Sequence, residues 1–561
     1  MDDRRVRDVL VRAAAIVIAA LIVYSPSFYG EWLFDEGHFV PADMTAQSGS
    51  WAGLALMWLD PKGVDYFPLT STLFWALWQC FENDPAGYHV TSILLHAASG
   101  LLLWALLAKM TMPGAWAAAV VFTVHPVCVE SVAWIAEIKN TLSLPLFLAS
   151  CLCWVAQDDE GETTRQKWLA ALAYVFFLLA MLAKPTVVAM PVLTLLYAWW
   201  KRGRINSRDI VHAAPLFLIS IVLGIVTIQF QHGRAIGGEP LPIGGIDSRI
   251  VIAGMAILFY LATIFWPINL MPTYPAWQVV PPKAWQFLPW LVIGAAMWWM
   301  WRNRETPWGR NCILAFGFFL LMIAPMLGFI DMSFMRISWV TDHFVYVAMI
   351  GPIALAVAAA TTWLERQTSC MRTWGFAAAG CVTVILSAGS FLYAREWVDE
   401  ERLWKYTLAR NDDSWIAHNR LGALKSERDE MDAAIDHFRH AARLRADLGE
   451  TKNNLGALLL KKGLPDEAVE VLEEAVQATP FLVTIRCNLA EAYGKAGRFA
   501  EARDLAAELL KDDPTNFALL TTHAIALCNT GEREKGLAEF DRLLALKPDY
   551  EPAINALQAI Q

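Results

Sequence analysis

Asp35 and Glu36 stand side by side just beyond the first long apolar run of the chain, between Trp32-Leu33-Phe34 and His38-Phe39. A carboxylate held there, at the depth of a lipid phosphate, can deprotonate a hydroxyl nucleophile as general base. A solvated loop couplet is the competing reading. The stretch from His125 to Asn140 gathers Glu130, Glu137 and Lys139. Lys139 suits a phosphate leaving group as a fixed positive charge, and the glutamates suit sugar hydroxyls, a lysine or a divalent cation such as Mg or Mn. Glu130 and Glu137 are about two helical turns apart, so both can share a face. The alternative is a structural loop in which Pro126 stops a helix and the charges face water. Lys184-Pro185, at an apolar hairpin tip, offers a second cation for a lipid phosphate or snorkels to headgroups. Arg336 and the Asp342-His343 pair read equally well as interfacial ion pairs.

These residues are set among elements that only a membrane explains. The chain has 561 residues, 56% hydrophobic, with 26 Trp, and the excess lies before Tyr393. Runs of about 16–20 apolar residues read as membrane-spanning helices. Eleven are expected: Val11–Phe28, Tyr88–Leu107, Ala115–Pro126, Leu142–Ala156, Trp168–Leu182, Thr186–Trp200, Ile210–Ile228, Trp285–Trp301, Cys312–Phe329, Phe344–Trp363 and Trp374–Tyr393. The first follows Arg4, Arg5 and Arg7 and has no small-residue cleavage site after it, so it reads as a retained anchor. Tyr66–Phe81 is expected as an amphipathic helix in the outer interface, and Ile250–Pro267 as re-entrant or interfacial. With that count the Arg- and Lys-rich loops share one side, which puts the N-terminus in the cytoplasm and Asp35, Tyr88-His89, His125–Asn140, Lys184 and Asp342 on the opposite face. Ionisable residues converging at a membrane boundary argue for an active site there.

The nine cysteines sit mostly in apolar runs without metal-ligand spacing, and read as small buried hydrophobes. The net charge of −9 comes largely from the C-terminal region, and no basic stripe points to nucleic acid. A Gly-rich phosphate loop, His-Glu-x-x-His and Gly-x-Ser-x-Gly are all missing from the sequence, against an ATP-driven pump, a zinc protease or a serine hydrolase.

A 34-residue beat marks the C-terminal part. Leu421, Leu455, Leu489 and His523 follow it, as do Ala434, Ala468, Ala502 and Gly536, the glycines 463, 497 and 531, and the prolines 480, 514 and 548. This is the tetratricopeptide (TPR) period, a stack of helix pairs with a concave peptide-binding surface. The first unit is degenerate, with Asp429 where later units have Gly and Ala446 where they have Pro. The expected fold class is all-α: a polytopic membrane domain at 1–395, a connecting helix at 396–414, and a TPR solenoid of about four repeats plus a cap at 415–561.

The order of motifs resembles one family over essentially the whole chain. Phe34-Asp35-Glu36, Tyr66-Phe-Pro68-Leu69-Thr70, Asn83 to His89, His125-Pro126 to Lys139, Leu182-Ala-Lys184-Pro185, Phe265-Trp-Pro267, Tyr274-Pro275, Thr341-Asp342-His343-Phe-Val-Tyr346 and Trp397 to Trp404 are similar to the transmembrane-and-TPR protein O-mannosyltransferases and their bacterial relatives. The resemblance implies a GT-C glycosyltransferase fold that moves one sugar, hexose- or mannose-like, from a polyprenyl-phosphate carrier to an acceptor outside the cytoplasm. It implies Asp35 as base, supported by Glu36, with Lys139 and Lys184 on the lipid phosphate. Arg336 and His125 are then further donor contacts, and Glu130, Glu137, Tyr88, His89 and Asp342 substrate contacts. A bacterial inner membrane and an acceptor protein held in the TPR groove complete the expectation. Three departures stand out: Asn140 where relatives have Asp, Asp342-His343 where they have Asp-Arg, and Asp-Glu rather than Asp-Asp at 35–36. Two rival classes remain, a non-catalytic scaffold whose repeats assemble an envelope complex, and a transferase with a lipid or polysaccharide acceptor.

Overall fold

The computed structural model describes residues 3–34, 49–59, 65–158, 163–236, 241 and 243–560. Asp35, Glu36 and His38 lie outside the described residues. The described residues form helices and connecting turns, without a strand. They fall into two units, Met1–Tyr406 and Thr407–Gln561.

In the first unit, seven helices are long and apolar enough to cross a membrane, among the described residues. They include α4 (Pro85–Lys109), α8 (Thr164–Ala183), α10 (Ser207–Phe230), α11 (Ile246–Phe265), α13 (Pro307–Ile323) and α16 (Ser369–Ala394), the seventh being α7 (Ile138–Asp158) with the turn before it. Shorter or more charged helices accompany them: α1 (Asp3–Val23), α2 (Trp51–Leu59), α3 (Pro68–Phe81), α5 (Ala115–Thr123), α6 (Val129–Ala133), α9 (Met190–Arg202), α12 (Leu288–Arg302), α14 (Asp342–Val345), α15 (Ile350–Glu365) and α17 (Glu400–Leu408). Much of the apolar surface of α10 and α16 is exposed, Leu218, Ile221, Ile225, Val384 and Ile385 among it, more than a water-facing surface carries.

Local chemistry sets where the helices begin and end. Asp84 accepts a hydrogen bond from the Ala86 N–H at 3.0 Å and Pro85 opens α4, a cap followed by a proline where no N–H is needed. Thr163 caps α8 in the same way, from the Gln166 N–H at 3.1 Å. At the other end of α8, Pro185 forces Lys184 into extended backbone, φ −160° and ψ 126°, because the ring clashes with a helical residue before it.

Two expected spans take another form. Ala115–Pro126 is broken: α5 stops before His125-Pro126, and the turn that follows departs from it by 51°. Most of the segment expected to be re-entrant, Ile250–Pro267, lies in α11, uninterrupted to Phe265 and long enough to cross. α11 adds a crossing-length helix while α9, α12 and α15, at expected spans, are shorter than 18 residues, so a count of helices does not by itself set the orientation. Tyr66–Phe81 contains α3, which buries Pro68, Thr70 and Leu77 and is tied to the bundle by Thr70 Oγ1 donating to the Ala183 carbonyl at 2.9 Å.

The second unit consists of four helix pairs, α18 (Trp415–Glu427) with α19 (Met431–Leu444), α20 (Gly449–Lys462) with α21 (Pro465–Ala478), α22 (Val483–Lys495) with α23 (Phe499–Leu509) and α24 (Phe517–Asn529) with α25 (Arg533–Leu546), closed by α26 (Glu551–Ile560). The period has a steric cause. Ala434, Ala468 and Ala502 are fully buried, and at Gly536 even a Cβ would come within 2.4 Å of Cys528 Sγ, so only small residues let the paired helices approach. Asn454 Nδ2 donates to Asn419 Oδ1 at 2.9 Å and Asn488 Nδ2 to Asn453 Oδ1 at 2.8 Å, a ladder joining successive first helices.

Candidate functional site

The chain from Val124 to Glu137 is almost wholly buried, yet it never makes a long helix. Pro126 opens one 3₁₀ turn, α6 lasts five residues, and a second 3₁₀ turn at Ile135–Glu137 leads into α7. This broken path sets Glu130 in α6 and Glu137 immediately before α7. Both side chains are nearly inaccessible, at 1% and 3% exposure.

Glu137 is the hub. Its Oε2 lies 2.7 Å from Lys184 Nζ and its Oε1 3.1 Å from Lys139 Nζ. The Asn140 amide donates to Oε2 at 2.8 Å, to Ser131 Oγ at 3.1 Å and to the His343 carbonyl at 3.2 Å. Lys139 keeps about a fifth of its side chain exposed and Lys184 almost none. The Lys184 backbone is fixed by Ser143 Oγ, which donates to its carbonyl at 3.2 Å. Burial, with Lys139 beside it, lowers the Lys184 ammonium to about 8, against the opposing pull of Glu137. Two ammonium groups meet on one carboxylate, in surroundings where charge is expensive.

Glu130 is held differently, by Thr341 and His343. Thr341 Oγ1 donates to both its oxygens at 2.9 Å, the His343 N–H to Oε2 at 3.0 Å, and His343 Nδ1 lies 2.9 Å from Oε1. The other ring nitrogen of His343 is 3.9 Å from Glu137 Oε1, so one imidazole spans the two glutamates. Asp342 is fully buried and accepts from the Tyr274 hydroxyl at 2.7 Å. Burial and the Glu130 charge push its carboxyl well above the ordinary range.

Phe34, the last described residue before Asp35, adopts a left-handed backbone at φ 57°. Its ring lies 4.7 Å from that of Trp134 and 4.8 Å from that of Trp404, and Trp134 in turn lies 5.9 Å from His343. A bulky residue in that conformation is strained and needs such packing to hold it.

Glu130, Glu137, Lys139 and Lys184 thus converge, with Asp342 next to His343. Tyr88 supports them from behind, in an apolar cluster with Ile135 and Ile138, its hydroxyl donating to the Glu82 carbonyl at 3.0 Å. His89 is buried against Gly30, where a Cβ would come within 2.5 Å of its Nε2. His125 is engaged elsewhere: Nε2 is 2.9 Å from the Ile264 carbonyl, and Nδ1 accepts from the Val127 N–H at 3.3 Å. Both ring nitrogens serve the backbone, and neither is left for a phosphate. Arg336 donates to the Ile236 carbonyl at 2.7 Å. The residues that sequence reasoning left out of the site are Asn140, Thr341 and Tyr274, while His343 entered it only through its pairing with Asp342. The signal was present in the run Thr341-Asp342-His343, but the hydrogen bonds across 211 and 213 residues that join it to Glu130 leave no trace in local spacing.

A divalent cation does not fit the described cluster. Glu137 is occupied by two lysines and Glu130 by three donor groups, and no group of three or more His, Cys, Asp or Glu among the described residues can hold a metal ion.

Models of the tetratricopeptide repeat match residues 448–479 and 495–560. Protein O-mannosyl-transferase Tmtc3 of Drosophila melanogaster is 22% identical over 472 residues, 70% of this chain and 50% of that protein. Protein FlbA of Caulobacter vibrioides is 24% identical over 161 residues, 29% of this chain and 27% of that protein. The chain therefore spans half or less of the length of these relatives. Among solved structures, the TPR protein YrrB is 22% identical, with a TM-score of 0.26 over 28% of this chain and 81% of its own. The protein is thus an all-helical chain with tetratricopeptide repeats and membrane-length helices, distantly similar to a protein O-mannosyltransferase.

Proposed function

We propose that this protein is a GT-C membrane glycosyltransferase that moves a hexose, mannose-like, from a polyprenyl-phosphate carrier to Ser or Thr of an acceptor protein outside the cytoplasm. The observation that carries the reading is the buried Lys139–Glu137–Lys184 triad, in a chain similar over 472 residues to an O-mannosyltransferase.

In the reaction, the acceptor Oγ attacks the anomeric carbon and its proton passes to the Asp35 carboxylate, with Glu36 alongside. The bond from the anomeric carbon to the phosphate oxygen breaks, and its electron pair leaves with the polyprenyl phosphate. Lys139 and Lys184 stabilise that developing charge, and their fixed positions mean little reorganisation is needed as it forms. Glu137 keeps both ammonium groups in place while the donor is absent. Glu130, His343 and Asp342 hold the wall of the site on which the sugar rests. The repeats capture the acceptor polypeptide. The location proposed is a bacterial inner membrane, with the N-terminus in the cytoplasm and the repeats outside it.

The test compares the glycoproteomes of cells making wild type or Asp35→Asn at matched levels. A hexose-sized mass on specific Ser or Thr residues, present with wild type and lost in the variant, is expected. The same modifications persisting in the variant would remove Asp35 from its role. If wild type modifies no protein, the scaffold or lipid-acceptor reading takes its place.

A further inference from the structure

A cavity of about 720 Å³ opens at the end of the first unit opposite the glutamate–lysine cluster. α7 begins beside Glu137 and lines the cavity with Trp154 and Val155, about 25 Å farther along its axis at 1.5 Å per residue. α4 contributes Leu106 and Leu107, and α9 contributes Leu193 and Tyr197. The volume falls within the range of ligand pockets, about 300–1,000 Å³.

The lining has a direction. Along α15 it runs from Ile350, buried, to Trp363 and Arg366, exposed, about 24 Å on the helical rise. One leaflet of hydrocarbon is about 15 Å thick, so the cavity accommodates a chain reaching from a membrane surface past the midplane. The inner part is apolar. The mouth carries Trp308 and Trp363, both substantially exposed, the residues that settle at lipid headgroups. Arg366 stands at this mouth and makes no ion pair with the described residues. Of the basic residues beyond Trp200 and Asn311 in the same lining, Lys201 and Arg202 are already paired with Asp158 and Asp209.

We propose that this cavity holds one phospholipid with an anionic headgroup, its acyl chain between α4, α7, α9, α13 and α15 and its phosphate at Arg366. The apolar length fits the chain, and Arg366, without an ion pair among the described residues, fits the headgroup charge rather than a zwitterion. The lipid occupies the leaflet opposite the sugar-transfer cluster and fills the gap between these helices, bracing the far end of α7, which begins beside Glu137.

The experiment is native mass spectrometry of the full chain with phosphatidylglycerol or phosphatidylcholine of equal chain length. Wild type is expected to retain one phosphatidylglycerol in preference to phosphatidylcholine. Arg366→Glu, a surface change, is expected to weaken that preference about tenfold, and Arg366→Lys to keep it. Ala358→Trp, which fills the cavity without altering charge, is expected to abolish retention of both lipids while circular dichroism stays that of wild type. Equal retention of the two lipids by wild type, or adducts indifferent to both Arg366→Glu and Ala358→Trp, would overturn the proposal. Displacement of phosphatidylglycerol by equimolar polyprenyl phosphate would overturn it as well, by assigning the cavity to the carrier chain.

Discussion

Arg439 and Glu467 lie 3.0 Å apart on the repeat surface, and Lys184 and Glu137 lie 2.7 Å apart inside the membrane unit. The pairs are chemically alike and physically opposite. The first is about half exposed on both sides, screened by solvent, and worth about 0.2–1 kcal/mol. The second is nearly sealed, and each of its charges carries a desolvation cost of several kcal/mol before any attraction is counted. A fold seeking stability alone would do as well with apolar residues at the second position. Two lysines sharing one buried glutamate suit the proposed site, where a phosphate leaving group would meet them. Breaking the two pairs separates these cases. Glu137→Gln leaves two neighbouring ammonium groups without their counter-charge and is expected to cost about 3–5 kcal/mol. Glu467→Gln is expected to cost under about 1 kcal/mol. Thermal unfolding of the purified full chain in detergent measures both, and equal losses would undo the contrast.

The next test asks whether the buried cations serve chemistry. Burial, helped by Lys139, brings Lys184 down to about 8, so its charged form is present below that pH and is lost as pH rises through it. Transfer measured as kcat/KM should therefore fall on an alkaline limb with its midpoint near 8. Lys184→Arg should keep most activity and move that limb to higher pH, since a guanidinium does not deprotonate there. Lys184→Met should lower transfer about 10²–10³-fold, the effect of losing one donor to a developing oxyanion. An unchanged limb in Lys184→Arg would assign that titration to another group.

The repeat unit was legible from sequence because its contacts are local: each small residue meets a partner on the helix next to it, and the spacing recurs. Lys139, Glu137 and Lys184 were legible as types, since charge in apolar sequence is conspicuous. Their pairing was not, because Lys184 comes from a hairpin 47 residues away. His125 misled for the same reason. A histidine before a proline at a helix break looks available, and only the Ile264 carbonyl, 139 residues away, shows where its ring is used. Ile250–Pro267 was ambiguous because length and apolarity alone do not separate a crossing helix from one lying at the surface. Asn140, which in sequence reads as a missing carboxylate, has a positive role in the structure. Its amide donates to Glu137 and to the His343 carbonyl, and an Asp there would set a second negative charge against Glu137. Asn140→Asp is expected to destabilise the membrane unit by about 1–3 kcal/mol, the cost of leaving buried acceptors unmatched. A melting temperature equal to wild type would show that the amide is not needed.

The smallest expected effect tests the repeat side of the comparison, where strain is local and cheap. Gly463, Gly497 and Gly531 close their first helices with φ of 81°, 75° and 90°, and Asp429 takes the same turn of the first pair at φ 61°. A side chain in that region carries a steric cost that glycine escapes. The Asp429 carboxylate recovers little of it, since Lys461 Nζ is 3.7 Å away and both groups are exposed. Asp429→Gly is therefore expected to stabilise the repeat unit by about 0.5–1 kcal/mol, and Gly463→Asp to destabilise it by a similar amount. Denaturant unfolding of Thr407–Gln561 followed by circular dichroism measures both. Opposite signs of similar size would mean that the degenerate first repeat departs from its neighbours by one residue's backbone strain. A loss in both variants would mean that Asp429 makes a contact in the first repeat worth more than the strain it carries.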